Sequence, residues 1–138
     1  MAALGCSPLG RIHDCERIVQ TLNPGLLEIQ GLTGSASSAA AYRQIADAYE
    51  DLGKRLSTLL PKDPELSKAL SSYRELTQRA AKHSRAFSDE LSKEPSVDAG
   101  AESDPAGAAR MDRIRSGAKA ELSREATLVR KLNALCHP

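Results

Sequence analysis

The chain has 138 residues, enough for one domain with its own hydrophobic core. Its 19 basic and 18 acidic residues leave a net charge of +1, which excludes a strong overall attraction to nucleic acid or anionic lipid. Only 3% of the residues are aromatic, which argues against a stacking platform for single-stranded nucleic acid, and no nucleic-acid partner is predicted. No run approaches the roughly 20 apolar residues that a membrane-spanning helix needs.

The first helix is predicted over residues 11–32, behind a flexible tether of residues 1–10. Apolar residues recur in it at steps of three and four, the spacing of one helix face; they are Ile12, Cys15, Ile18, Val19, Leu22, Leu26 and Ile29. Asn23-Pro24-Gly25 interrupts the pattern, because proline lacks a backbone donor and clashes with the preceding turn. We expect a kink or a break at Pro24, and the kink is favoured because the apolar phase continues beyond it.

The next two helices are predicted over residues 36–60 and 64–92. The first of these follows a polar loop rich in serine, a favoured N-cap residue. The second begins with a strong start signal. Asp63 is a good N-cap, Pro64 suits the first helical position, and Glu65 complements the positive end of the helix dipole.

A polar stretch rich in proline and glycine, residues 93–107, lacks apolar periodicity and is predicted to be a flexible linker. The last helix follows it over residues 108–136, with an apolar face of Met111, Ile114, Ala118, Leu122, Leu128, Val129, Leu132 and Leu135. Four helices of comparable length predict an all-α fold, an antiparallel four-helix bundle in up-down-up-down order. Residues 11–138 would form this single domain.

Two cysteines lie at opposite ends of the predicted bundle sequence, Cys15 in the first helix and Cys136 at the end of the last. An antiparallel bundle of four helices brings these two ends to the same pole, so we predict a Cys15–Cys136 disulfide if the protein is exported. In the chain-entropy model, closing a loop of about 120 residues stabilises by roughly 4–5 kcal/mol. The alternative is a pair of buried free thiols.

No catalytic residue is predicted, because the sequence contains neither a Gly-x-Ser-x-Gly elbow nor a glycine-rich phosphate loop before a lysine. His13, Cys15, Cys136 and His137 would share one pole of the bundle, which leaves a metal- or cofactor-binding bundle as an alternative. The sequence lacks Cys-x-x-Cys and His-Glu-x-x-His spacing, so no metal ligand and no cofactor is predicted.

Basic residues cluster on the third helix and at the start of the fourth. Together they would form a surface for phosphates, anionic lipid or an acidic partner; the candidates are Arg74, Arg79, Lys82, Arg85, Arg110, Arg113, Arg115 and Lys119. The alternative is a mixed, solvated helix surface, since acidic residues are interspersed among them. The mixed surface is the favoured interpretation.

The N-terminal segment Ala3-Leu4-Gly5-Cys6 looks like the end of a bacterial lipobox, in which small residues precede a lipidated cysteine. This segment, the Ser7-Pro8 that follows it, the helical body and the terminal cysteines together resemble small, uncharacterised all-helical bacterial envelope lipoproteins. The resemblance implies lipidation of Cys6 and a periplasmic or outer-membrane-tethered location. The alternative is a chance cysteine in a cytoplasmic protein.

These observations favour a non-enzymatic helical binding or scaffolding module of the bacterial cell envelope, acting on an unidentified protein partner. The alternative is a cytosolic adaptor that uses one face of the bundle for a partner helix or a membrane surface.

Overall fold

The computed structural model describes residues 8–93 and 105–137, and it is an all-α four-helix bundle, as the sequence predicts. The four helices are α1 (Pro8–Ser35), α2 (Ala39–Ser57), α3 (Pro64–Lys93) and α4 (Pro105–Cys136). No helix among the described residues is both long enough and apolar enough to cross a membrane.

The helix ends differ from the predicted ones by a few residues, and local capping explains the differences. α1 and α4 begin earlier than predicted, at Pro8 and Pro105, because proline is well suited to the first turn of a helix. Residues 8–10, 93 and 105–107 therefore belong to helices and not to the predicted tether 1–10 and linker 93–107. The rest of these two predictions, residues 1–7 and 94–104, lies outside the described residues.

α2 is shorter than predicted at both ends. The Ser38 hydroxyl caps its first turn by accepting a hydrogen bond from the Ala41 amide at 3.1 Å. At the other end, the amide of Thr58 bonds back to Arg55 and Leu56, and the chain then leaves the helix ahead of Pro61. The residues that follow connect α2 to α3 in a short turn, which suits antiparallel neighbours.

Of the two outcomes expected at Pro24, a kink or a break, the break does not occur, because α1 runs through this residue. The neighbouring Gly25 lies so close to α2 that a Cβ atom built on it would stand 2.6 Å from Leu52 Cδ1. Close packing of α1 on α2 therefore holds the helix together where proline removes a backbone hydrogen bond.

Helices that follow one another in the chain pack against one another, and the α2–α3 interface is the most extensive. Among the helix pairs that are in contact, α1 and α4 have the smallest interface. The core consists mainly of aliphatic side chains from α1, α2 and α3. α4 has only two buried apolar residues, Met111 and Leu132, so one side of it is poorly covered.

Asp63 fixes the turn between α2 and α3 to the beginning of α1. Its Oδ1 accepts hydrogen bonds from the amides of Glu65 at 2.9 Å and Leu66 at 3.1 Å, as an N-cap does. Its Oδ2 lies 2.8 Å from Arg11 Nε in α1. The Leu66 amide is the largest cause that lowers the pKa of Asp63, and Arg11 and the Glu65 amide add to it against the effect of burial.

Replacing Asp63 with alanine should destabilise the protein at neutral pH by about 1–2 kcal/mol, the value of a helix N-cap. Because the folded protein lowers this pKa, the contribution of the ionised carboxylate is present above the unfolded value of about 3.9 and is lost as the pH falls through the folded value. Urea unfolding at neutral pH and at about pH 3 measures the difference. Asp63→Asn keeps the cap and should cost less; equal losses for both variants would assign the effect to the Arg11 ion pair.

Candidate functional site

The predicted pole of the bundle exists, and the structure joins Cys15 to Cys136 there as a disulfide. The two Cα atoms are 5.6 Å apart, and the bridge links residues separated by 121 positions in the sequence. Cys15 is buried and belongs to the core, and Leu132, one turn before Cys136, packs in the same cluster. The disulfide is thus the main connection between α1 and α4.

Away from this pole, α1 and α4 separate and leave an open groove of about 350 Å³. The groove lies mainly between α2, α3 and α4, and Thr33 is the one residue of α1 that lines it. Its volume falls within the range of sites that bind small organic molecules. The groove is open, largely apolar and lined mainly by three helices, and it is the candidate functional site.

Apolar side chains from three helices cover most of the groove surface. They are Tyr42, Ile45 and Tyr49 from α2, Leu76, Ala80 and Phe87 from α3, and Ile114, Ala118 and Leu122 from α4. The Tyr42 and Phe87 rings contact each other, with their centroids 4.4 Å apart. Leu122 is 60% exposed, although the helical pattern predicts that it faces the core.

Glu125 brings a carboxylate to the wall of this apolar groove. Its Oε1 accepts a hydrogen bond from the fully buried Tyr73 hydroxyl at 2.7 Å, and the Tyr49 hydroxyl also faces it. Burial, followed by the negative charge of Glu125, raises the pKa of both tyrosines far above the usual value. Both phenols therefore stay protonated, and the Tyr73 hydroxyl acts as a donor that fixes the carboxylate in place.

Glu121, one turn earlier on α4, is buried, and two arginines neutralise it. Arg79 Nε lies 3.1 Å and 3.2 Å from its two carboxylate oxygens, and Arg124 Nη1 lies 2.7 Å from Oε1. The Arg79 contact joins α3 to α4. This carboxylate therefore connects two helices, in contrast to Glu125, whose polar contacts are with tyrosines.

His83 of α3 lies against Gly117 of α4. A Cβ atom on Gly117 would stand 2.8 Å from the imidazole Cε1, so the ring packs directly on the α4 backbone. A larger residue at this position would require the imidazole to move.

Several residues of the predicted basic surface are engaged in ion pairs between helices. Arg79 pairs with Glu121, Arg85 with Asp47 and Glu50, and Arg110 with Glu90. Arg115 lies 4.0 Å from Asp112 and 5.9 Å from the centre of the Phe87 ring. The remaining members lie on α3 or α4 with at least part of their surface exposed; they are Arg74, Lys82, Arg113 and Lys119. Much of the positive charge is therefore matched by neighbouring carboxylates.

The pole that contains the disulfide does not form a metal site among the described residues. Both cysteines are consumed by the disulfide, and no group of three or more potential ligands is found within residues 8–93 and 105–137. His13 and His137 are exposed. The predicted lipidation site, Cys6, lies outside the described residues.

The sequence pattern did not predict the groove, but it contained one signal for it. The apolar spacing predicts a long buried face on α4, whereas the structure buries only two apolar side chains of this helix. An apolar face without a full set of partner helices indicates a cleft or an interface. Comparisons of this chain with protein families, with curated proteins and with solved structures give no match.

Proposed function

We propose that the protein is a non-enzymatic binding module of the bacterial cell envelope and that it binds a small, largely apolar ligand in the groove. The observation that carries this proposal is the 350 Å³ groove at the place where α4 separates from α1. Largely apolar walls with a few fixed polar groups are typical of ligand sites. In addition to its unidentified protein partner, the module would thus bind a small molecule.

The contacts of the ionisable groups favour binding over catalysis. The Glu121 carboxylate is held by Arg79 and Arg124, and the Glu125 carboxylate accepts a hydrogen bond from Tyr73. Both tyrosines beside Glu125 have a raised pKa and hold their protons. These two phenols are therefore poorly suited to proton transfer, since a general acid or base needs a pKa near the working pH.

The cell-envelope part of the proposal rests on the disulfide. Disulfides persist in exported proteins, whereas cytosolic thiols are kept reduced. Tethering of the module through a lipid on Cys6 is part of the same proposal. A cytosolic adaptor, the alternative function, would contain Cys15 and Cys136 as free thiols.

Filling the groove should prevent binding. We expect Ala118→Phe to weaken the binding of a neutral apolar fluorophore, N-phenylnaphthylamine, by about tenfold or more, because the added ring occupies the groove. Fluorescence titration measures the affinity. The matched control is Ala120→Phe on the exposed side of the same helix, which should leave binding unchanged. If the fluorophore binds Ala118→Phe and Ala120→Phe with equal affinity, or does not bind the unmodified protein, the groove is not the site.

A further inference from the structure

We propose that the groove selects lipophilic cations, which are molecules with an apolar body and a protonated amine or quaternary ammonium group, and that Glu125 is the residue that recognises the positive charge. This inference rests on the proposed binding function and names the class of ligand. It follows from the position of one carboxylate and from the residues that surround it.

The Glu125 carboxylate is fixed within the groove. The Tyr73 hydroxyl donates to Oε1 from behind, because Tyr73 is fully buried and does not line the groove. Glu125 itself does line the groove, as does Tyr49 on the facing helix α2. The carboxylate is therefore held in one orientation at the groove wall before a ligand arrives, which lowers the entropic cost of binding.

Glu125 differs from the other carboxylate of the groove in its electrostatic partners. Glu121 is paired with Arg79 and Arg124, whereas no lysine, arginine or histidine within residues 8–93 and 105–137 forms an ion pair with Glu125. A carboxylate among apolar walls without a cationic partner attracts a positive group more strongly than one that is already paired. Glu125 thus provides charge complementarity for a ligand cation.

The other charges of the groove do not favour an anionic ligand. Lys119 is exposed, and Arg115 lies beside Asp112 and the Phe87 ring. Exposed cations are screened by water and salt, so their attraction for an anion is weak. The aromatic rings that line the groove, Tyr42, Tyr49 and Phe87, offer faces that stabilise cations further.

The experiment compares three ligands that share one apolar chain and differ in charge, which are octylamine, octanol and octanoate. Each competes at neutral pH with N-phenylnaphthylamine bound to the full-length protein. We expect octylamine to bind at least about tenfold more tightly than octanol, a difference of roughly 1.4 kcal/mol, and octanoate to bind most weakly. The order of affinities in the unmodified protein tests the inference without any variant.

Glu125→Gln assigns the preference to one residue. The amide oxygen of glutamine can still accept the Tyr73 hydrogen bond, so the groove should keep its shape while it loses the charge. We expect octylamine and octanol to bind this variant equally well, with octanol unchanged from the unmodified protein. Glu16→Gln is the matched control, since it removes the same charge from an exposed position on α1 outside the groove.

Four results would overturn the inference. Tighter binding of octanoate than of octylamine would show that the exposed cations dominate. Equal binding of all three compounds, with the fluorophore still bound in the groove, would leave the proposed function intact and remove only the charge selectivity. An amine preference that persists in Glu125→Gln would assign it to another group, and failure of the fluorophore to bind at all would refute both the inference and the proposed function.

Discussion

Replacing Cys15 and Cys136 together by serine should lower the free energy of unfolding by about 4–5 kcal/mol and the Tm by roughly 15–20 °C. The bridge closes a loop of 121 residues, and in the chain-entropy model a loop of this length restricts the unfolded chain strongly. The bridge also connects the two contacting helices that share the smallest interface. Helical content measured by circular dichroism should stay the same, because the three sequential interfaces are unaffected.

Urea unfolding with and without reductant provides the control. Reduction of the unmodified protein should reproduce the loss seen in the double variant, whereas the double variant should not respond to reductant. Cys6→Ser, which changes the third thiol, should leave stability unchanged. An equal Tm for the oxidised and reduced forms would show that the disulfide contributes nothing to stability.

The same disulfide decides between the two proposed compartments. Protein isolated from its own cells is alkylated without reductant, and its intact mass is measured. A Cys15–Cys136 crosslink together with a blocked Cys6 thiol supports the envelope proposal. Alkylation of Cys15 and Cys136 would favour the cytosolic adaptor.

Leu52→Ala should cost about 2–5 kcal/mol, the second large effect that we expect. Leu52 has no exposed surface and lies between α1 and the rest of the core, so truncation leaves a cavity that the close-packed helices can fill only in part. Thermal unfolding measures the loss. The control is Leu60→Ala at a position that is 83% exposed, where a change within about 0.5 kcal/mol is expected.

Gly25 provides a further test of the Leu52 contact. The effect of Gly25→Ala on stability should change sign when Leu52 is replaced by alanine. In the unmodified protein, Gly25→Ala should destabilise, since the new Cβ would stand 2.6 Å from a Leu52 methyl group that has no room to move. In the Leu52→Ala background the clash is gone, and alanine should stabilise the helix by up to about 1 kcal/mol relative to glycine. Destabilisation by Gly25→Ala in both backgrounds would mean that Leu52 does not set the α1–α2 distance.

Local pattern was sufficient to predict the helices and the pole that they share. Apolar residues at steps of three and four, together with the N-cap at Asp63, are short-range signals that hydrogen bonding and burial act on directly. The Cys15–Cys136 contact also follows from pattern, because an antiparallel bundle fixes which helix ends meet. Helix ends were less predictable, since Pro8 and Pro105 begin helices in segments that composition assigns to loops.

The groove and its carboxylate are properties of the tertiary structure alone. The apolar face of α4 predicts burial, but only the packing shows that α1 leaves this face and meets α4 mainly at the disulfide. Glu121 and Glu125 are one turn apart on the same helix, and nothing in the sequence distinguishes them. Their difference comes from their partners. Glu121 faces Arg79, 42 residues earlier in the chain, and Glu125 faces Tyr73, 52 residues earlier. Sequence periodicity reports which side of a helix is apolar, whereas the partner of each side chain depends on how the helices are placed against one another.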